Sequence, residues 1–366
     1  MRKPYRVMVW GPGGLGSVCI WEVLQSKAFK LVGVRCYGES KNGVDVGTLL
    51  GMPPVGIKAT NNVEKLLKLN CDCVIYTARD MGNFNTDEEI LQILAAGKSV
   101  VTPLPYHNAH LFRDTAFNKK LAAACKKGKS VFHATGIDPD LISDRVLMGL
   151  TGLCTDIKYV KLQENWDSTY TEPELLAVAG FGKSLEDAKR VPLAAAVSTN
   201  FLKAIAHTVE HLLGVDYVRI EETHDYIATP KDIVSHYMTV KAGTVGRLTH
   251  RYCGWVAGQN EPFFTMEYNW VMGPTMLPEG VLPNQYWVAE IEGRPSLKMV
   301  IDLTASRQNK DRFYKIGKLQ TEPGYHGTMA PCLQAIPHIC AAKPGVMPSF
   351  GTGLHWMKDL RASVAK

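Results

Sequence analysis

The chain predicts an α/β protein: a doubly wound parallel sheet at the N-terminus, then a second α+β domain with a mainly antiparallel sheet. Three observations carry this. Short apolar strands alternate with amphipathic helical segments through about the first 140 residues, the pattern of a parallel sheet joined by crossover helices. The glycine cluster Gly11-Pro12-Gly13-Gly14-Leu15-Gly16 separates the first strand from the first helix. Further on, longer strands follow one another with few helices between them.

Residues 5–10 read as the first strand, and Val18, Trp21 and Leu24 mark a helix after the glycines. Residues 31–37 form the next strand, and residues 72–77 a buried one rich in Val, Ile and Tyr. Thr86 and Glu89, at capping-box spacing, open a helix carrying Ile90, Leu91, Leu94 and Ala95. A short strand over 99–102 follows, then a helix over 109–127 with a basic C-terminal end. Residues 130–133 close the series. Beyond these, strands are expected over 157–163, 243–257, 263–272 and 286–301, interrupted by one strong helix over 192–213. From Gly324 the pattern is helical again, with prolines at 331, 337, 344 and 348. The domains expected are residues 1–140, 141–323, and a C-terminal helical segment, 324–366, that returns to the first. No linker marks the boundary, so the two domains are expected to share a cleft.

At 366 residues the chain is about twice the usual domain size, which agrees with two domains. A composition of 46% hydrophobic and 21% charged residues excludes disorder, collagen-like repeats and a small disulfide scaffold. No apolar run reaches the ~18 residues that span a bilayer, so no membrane association is expected. Arg2, Lys3 and Arg6 are not followed by the apolar core of a secretory signal. Nine scattered cysteines, with Cys71 and Cys73 as a C-x-C but no C-x-x-C, read as reduced thiols of a cytoplasmic protein. A net charge of +6 without a basic, aromatic-interleaved block excludes nucleic acid, while suiting an anionic ligand.

Gly11, Gly13 and Gly16 satisfy G-x-G-x-x-G in the context that gives it meaning, directly after a strand and opening a helix. Gly11 permits the tight turn, Gly13 lets a pyrophosphate approach the backbone, and Gly16 lets helix and strand pack closely. This is the fingerprint of a Rossmann dinucleotide site, and residues 11–16 are its predicted phosphate loop. The ribose selector lies about 20 residues on, where Arg35-Cys36-Tyr37 holds no acid. Arg35, with Ser40 and Lys41, suits a 2′-phosphate, so NADP(H) is favoured. If Glu39 reaches the ribose hydroxyls instead, the cofactor is NAD(H). Ligands in such sheets bind beyond the carboxyl ends of the strands. Those ends are Thr77-Ala78-Arg79, then Thr102-Pro103 running on to Tyr106 and His107, then Thr135-Gly136 running on to Asp138. They are expected to line the nicotinamide side of the cleft.

These segments carry a family resemblance. Besides the glycine loop, Ala134-Thr-Gly-Ile-Asp-Pro139, Glu290-Ile-Glu-Gly-Arg-Pro-Ser296, Gln334-Ala-Ile-Pro337 and Ala341-Ala-Lys-Pro-Gly345 match its motifs. The chain resembles the dihydrodipicolinate-reductase-like oxidoreductases that include 2,4-diaminopentanoate dehydrogenase and the native amine dehydrogenases, over nearly its whole length. The resemblance implies hydride transfer between the nicotinamide and a carbon bonded to nitrogen or oxygen. It also implies a second-domain sheet that closes over the substrate and builds a homodimer. Amine dehydrogenases place a catalytic glutamate after the strand that corresponds to residues 99–102. Here that loop reads Pro103-Leu-Pro-Tyr-His107, without a carboxylate.

Hydride transfer to a carbonyl needs a proton donor, and transfer to an iminium needs a nearby anion. Tyr106 and His107 are the candidate donors, unless the two prolines merely shape a loop there. Asp138 is the candidate anion, unless it only caps a turn before Pro139. Trp166 and Tyr170 would form an aromatic substrate wall. His207-Thr-Val-Glu-His211 is a literal H-x-x-E-H, with both histidines on one helical face. No third ligand is identifiable, so no metal is predicted. The expected activity is NAD(P)H-dependent oxidoreduction of a small carbonyl, imine or amine by a homodimer. The alternatives are a carbonyl or alcohol dehydrogenase that does not use ammonia, and a non-catalytic NADP-binding sensor.

Overall fold

A computed structural model describes residues 3–171, 173–190, 192–309 and 311–348. They divide into two compact units. The first runs to Asp80, resumes over Asn85–Arg145 and again from Phe313; the second is Met81–Phe84 with Val146–Arg312.

In the first unit β1 (Tyr5–Trp10), α1 (Gly14–Gln25), β2 (Phe29–Arg35), α2 (Val46–Leu49), β3 (Ala59–Thr60) and α3 (Val63–Leu67) lead to β4 (Cys73–Tyr76). Then come α4 (Asp87–Ala95), β5 (Ser99–Thr102), α5 (Thr115–Gly128) and β6 (Val131–Ala134). The strands pair in parallel in the order β3-β2-β1-β4-β5-β6, so the winding reverses between β1 and β4. That reversal is where a doubly wound sheet opens a binding crevice. Val7, Val9, Cys73 and Ile75 are fully buried, as expected of central parallel strands covered on both faces.

Two local expectations are corrected here. Thr86 precedes α4 but makes no side-chain cap. Its hydroxyl meets the Tyr106 hydroxyl at 2.7 Å, while Glu89 accepts from the Tyr76 hydroxyl at 2.6 Å. Satisfying buried phenols outweighs a cap that water can replace. The helix expected over 109–127 begins only at Thr115, because the Asp114 carboxylate accepts the Phe117 N–H at 2.7 Å and so caps it there.

The second unit contains α6 (Met148–Thr151), β7 (Ile157–Asp167), α7 (Pro173–Ala179), α8 (Leu185–Lys189) and α9 (Pro192–Leu213). They are followed by β8 (Arg219–Ala228), β9 (Ile233–Val234), β10 (Thr239–Val240), β11 (Val245–Trp255), β12 (Phe264–Val271), β13 (Gln285–Gly293) and β14 (Leu297–Asp302). Its six-stranded sheet has the order β14-β13-β7-β12-β11-β8. Only β7 and β12 run parallel; the other pairs are antiparallel. The single strand expected over 286–301 is a hairpin, turned at Arg294 and Pro295, where the Gly293 N–H donates to Ser296 Oγ. β8 escaped the sequence reading because it is an edge strand whose Arg219–Glu222 end is charged and exposed.

From Phe313 the chain rejoins the first unit as the hairpin β15 (Tyr314–Ile316) and β16 (Leu319–Thr321), then α10 (Pro323–Ala341) and β17 (Gly345–Val346). Met329, Cys332, Ile336 and Ile339 of α10 bury into the same core as Val7 and Ile20. β17 adds a seventh parallel strand beside β6.

Candidate active site

The glycine loop is held by its neighbours rather than by side chains of its own. Gly11 has φ +100°, and a Cβ there would lie 2.8 Å from the Thr77 carbonyl oxygen. A Cβ on Gly16 would lie 2.0 Å from the Gly11 carbonyl oxygen, so close packing of α1 on the loop requires glycine. Gly13 is exposed, and a Cβ on it would meet nothing within 4 Å, leaving room for a ligand against the backbone. Thr77 Oγ1 donates to Gly11 O at 2.8 Å, with Ala78 buried beside it, and Lys41 Nζ donates to Pro12 O at 2.8 Å. Leu15 packs on the core beneath. No side chain caps α1 and no acid lies in its first turn, so its N–H groups and positive dipole end are left for an anion. These residues fit the pyrophosphate of a nicotinamide dinucleotide.

At the ribose end, the Arg35 guanidinium lies 4.4 Å above the Tyr37 ring, donates to Cys36 O, and sits 3.8 Å from Glu89. Ser40 is exposed in the turn Glu39–Lys41. Glu39 is turned toward Asn61 and Asn42, whose amides donate to it at 2.6 and 3.2 Å.

Beyond β4, Arg79 is exposed. Beyond β5, Thr102 Oγ1 donates to Tyr76 O at 2.8 Å, and Pro103 packs where a Cβ on Gly136 would lie 3.3 Å away. Tyr106 is buried; its hydroxyl donates to Asp87 Oδ1 at 2.6 Å, and burial and Asp87 together push its ionisation well up. His107 is buried beneath β6. Its Nδ1–H donates to Ala134 O at 3.0 Å and its Nε2–H to Asp144 Oδ2 at 2.5 Å. Burial pushes the imidazole pKa down, but Asp144 and Asp140 outweigh it and raise it to about 9. Asp140 accepts from Thr135 Oγ1 and pairs with Arg145. Burial raises its carboxyl, yet His107 and Arg145 hold it below the usual range. Two carboxylates, one guanidinium and one imidazolium therefore balance to zero, as a buried charge cluster requires. This cluster fixes the Ala134–Asp138 segment, and Asp138 itself is mostly buried.

Ligand atoms of His107, Asp140 and Asp144 lie within 4.8 Å of one another, the one such trio among the described residues. Arg145 and His107 already supply the positive charge that a cation would bring. In the H-x-x-E-H segment, His207 Nδ1 pairs with Glu210 at 2.8 Å, and His211 is exposed on α9.

In the second unit, Trp166 on β7 stands edge-on to Tyr286 at 6.0 Å and its Nε1–H donates to Thr171 at 3.4 Å. Tyr170 stacks on His236 at 5.3 Å. Sequence reasoning missed Asp140, Asp144 and Arg145, at the domain boundary where no element is expected, and Glu164. That last signal was present, because Glu164 interrupts the apolar alternation Val160, Leu162, Trp166.

No protein-family model matches the chain. It is 29% identical to an amine dehydrogenase of Streptomyces virginiae over 315 residues, covering 83% of this chain and 86% of that protein. It is 21% identical to a 2,4-diaminopentanoate dehydrogenase of Acetoanaerobium sticklandii, covering 97% and 93%. The structure of an amine dehydrogenase from Mycobacterium smegmatis superposes with a TM-score of 0.72 at 20% identity, covering 94% of each chain. Fold, glycine loop and relatives together define an NAD(P)-dependent oxidoreductase. Within that class the chain is similar to an amine dehydrogenase and to a 2,4-diaminopentanoate dehydrogenase. No described helix is long and apolar enough to cross a membrane.

Proposed function

We propose that the protein reduces a small ketone or aldehyde with ammonium, or the derived imine, to an amine at the expense of NADPH. The observation that carries this is the 29% identity to an amine dehydrogenase across 83% of the chain. It is joined to a glycine loop whose geometry admits a dinucleotide. In balance, a carbonyl, NH4+ and NADPH give the amine, NADP+ and water. The nicotinamide, when bound, supplies the hydride.

The chain's own residues hold and orient. Residues Gly11–Gly16 take the pyrophosphate, and Thr77 and Ala78 brace them. Arg35, Ser40 and Lys41 take a 2′-phosphate, which supports NADP(H) over NAD(H); Glu39, engaged by two asparagines, is poorly placed to bind the ribose hydroxyls. Arg79, Thr102, Pro103, Thr135 and Gly136 border the nicotinamide, with Asp138 offering a carboxylate to a developing cation. Tyr106 and His107 act there by position: each has its polar atoms committed inside the protein, and His107 fixes the Ala134–Asp138 segment. Trp166 and Tyr170 contribute an aromatic wall. A homodimer in the cytoplasm belongs to the same reading, and nine free thiols suit a reducing compartment.

The test is NADPH oxidation against a panel of ketones and aldehydes, with and without ammonium. Turnover that requires ammonium supports the reading. Equal turnover without it favours a carbonyl reductase, for which the absence of a carboxylate from the Pro103–His107 loop speaks. Tight NADPH binding without any turnover would make the protein a sensor and end the proposal.

A further inference from the structure

One face of the second unit's sheet carries a row of polar and aromatic residues in direct register: His224, His250, Tyr268, Glu164 and Trp287 on five successive strands. On one side of this row α9 lies against β11 and β12, with His207 edge-on to Tyr252. On the other side Leu248 and Trp270 pack into the cluster of Leu176 and Phe181. The row lies between these two apolar layers.

Within it, Glu164 differs from the other acids of the sheet. Glu267 on the opposite face is held by Arg251 and Asn269, and Glu222 by His224 and Thr199. Glu164 has no Lys, Arg or His within ion-pair distance among the described residues. Among the described residues its carboxylate accepts one hydrogen bond, a long one of 3.4 Å from Trp270 Nε1. It keeps some contact with solvent, yet protein crowds it enough that desolvation raises its carboxyl to about 7. Its register neighbours Tyr268 and Trp287 are buried, and the Trp287 indole N–H finds no acceptor among the described residues. Tyr268 stacks with Trp270 at 6.5 Å, so the residues beside Glu164 in the sheet are aromatic.

An acid without a counter-cation, partly exposed and with aromatic residues as its neighbours in the sheet, is complementary to an organic ammonium ion, which gains charge pairing and can rest against aromatic side chains. We propose that Glu164, beside Tyr268, Trp270 and Trp287, binds the cationic nitrogen of the substrate, a small alkylammonium or iminium, in the ground state, leaving to Asp138 the charge that develops during hydride transfer. This rests on the amine reading above and assigns the recognition of its charge to a particular carboxylate.

Titration calorimetry on the full chain with isopropylammonium, and with isopropanol as the neutral isostere, tests it. Wild type should bind the ammonium at least about ten-fold more tightly than the alcohol. Glu164→Gln should remove that preference while keeping NADPH affinity. Should Glu164→Gln fail to fold, Glu164→Asp decides, since withdrawing the carboxylate by one methylene should weaken ammonium binding several-fold and leave the alcohol unaffected. Equal binding of both probes by wild type, or undiminished ammonium binding in the variants, overturns the assignment. Turnover separates the two readings. Ammonium-dependent reduction at full rate in Glu164→Gln would sink this assignment and leave amine chemistry standing. Glu164-dependent ammonium binding in a protein that reduces nothing would sink the amine dehydrogenase instead.

Discussion

Replacing His107 by glutamine removes the one titrating cation of the buried cluster that anchors the Ala134–Asp138 segment. The imidazole pKa is about 9 in the folded protein, against 6.5 for a free histidine. The shift corresponds to about 3 kcal/mol of stability at 1.36 kcal/mol per pKa unit. The sign follows from a raised pKa. Below pH 6.5 folded and unfolded chains both carry the proton, and the contribution is complete. Between 6.5 and about 9 only the folded chain holds it, so stability falls as pH rises, and above about 9 the contribution is gone. The variant lacks this dependence, and at pH 6 it is destabilised by about 3–5 kcal/mol because Asp144 loses its cation. Hydrogen exchange at the amides of β5 and β6, corrected for intrinsic rates, reads this locally in a protein whose two units need not unfold together. Wild type should lose about 3 kcal/mol more protection than His107→Gln between pH 6 and pH 10. Parallel profiles for the two proteins would show that His107 is neutral when folded and would refute the charge balance assigned to the cluster.

Gly16→Ala puts a methyl 2.0 Å from the Gly11 carbonyl and must displace the loop, so NADPH affinity by fluorescence titration should fall at least ~100-fold. Melting of the second unit should be unchanged. Arg35→Ala should weaken NADP by about 1.5–3 kcal/mol, roughly 10- to 100-fold, and NAD far less; equal losses would mean that Arg35 serves only Tyr37 and Glu89. Asp138→Asn should lower ammonium-dependent turnover about ten-fold, a ~1.4 kcal/mol change in barrier, while cofactor affinity persists. Unchanged turnover would reduce Asp138 to a turn residue.

The doubly wound sheet was legible because its signals are local. A glycine loop between strand and helix, and apolar strands buried on both faces, leave little choice of topology. The β8 edge strand was illegible because its exposed, charged end breaks the alternation that marks a strand. The Thr86 capping box failed for the opposite reason: a tertiary partner, Tyr106, claimed a hydroxyl that sequence spacing had given to the helix. At the site, the glycines and Thr77 could be placed from order along the chain. The commitments of His107 could not, because Asp140, Asp144 and Arg145 reach it from the helical segment Leu141–Leu147 and the residue before it, more than thirty residues on, a tertiary contact that no periodicity announces. Glu164 was readable in principle as an acid on the apolar face of β7, but only once the strand was extended past Gln163.

The proposed activity requires hydride to pass directly from NADPH to a carbon bonded to nitrogen. Turnover of a small ketone with ammonium, using NADPH deuterated at one or the other C4 position, measures this by mass spectrometry of the amine. One of the two deuterated cofactors should place a single deuterium on the carbon bearing nitrogen, and the other should place none. Deuterium found only in the alcohol, or in no product while NADPH remains tightly bound, would rule out amine formation by this protein.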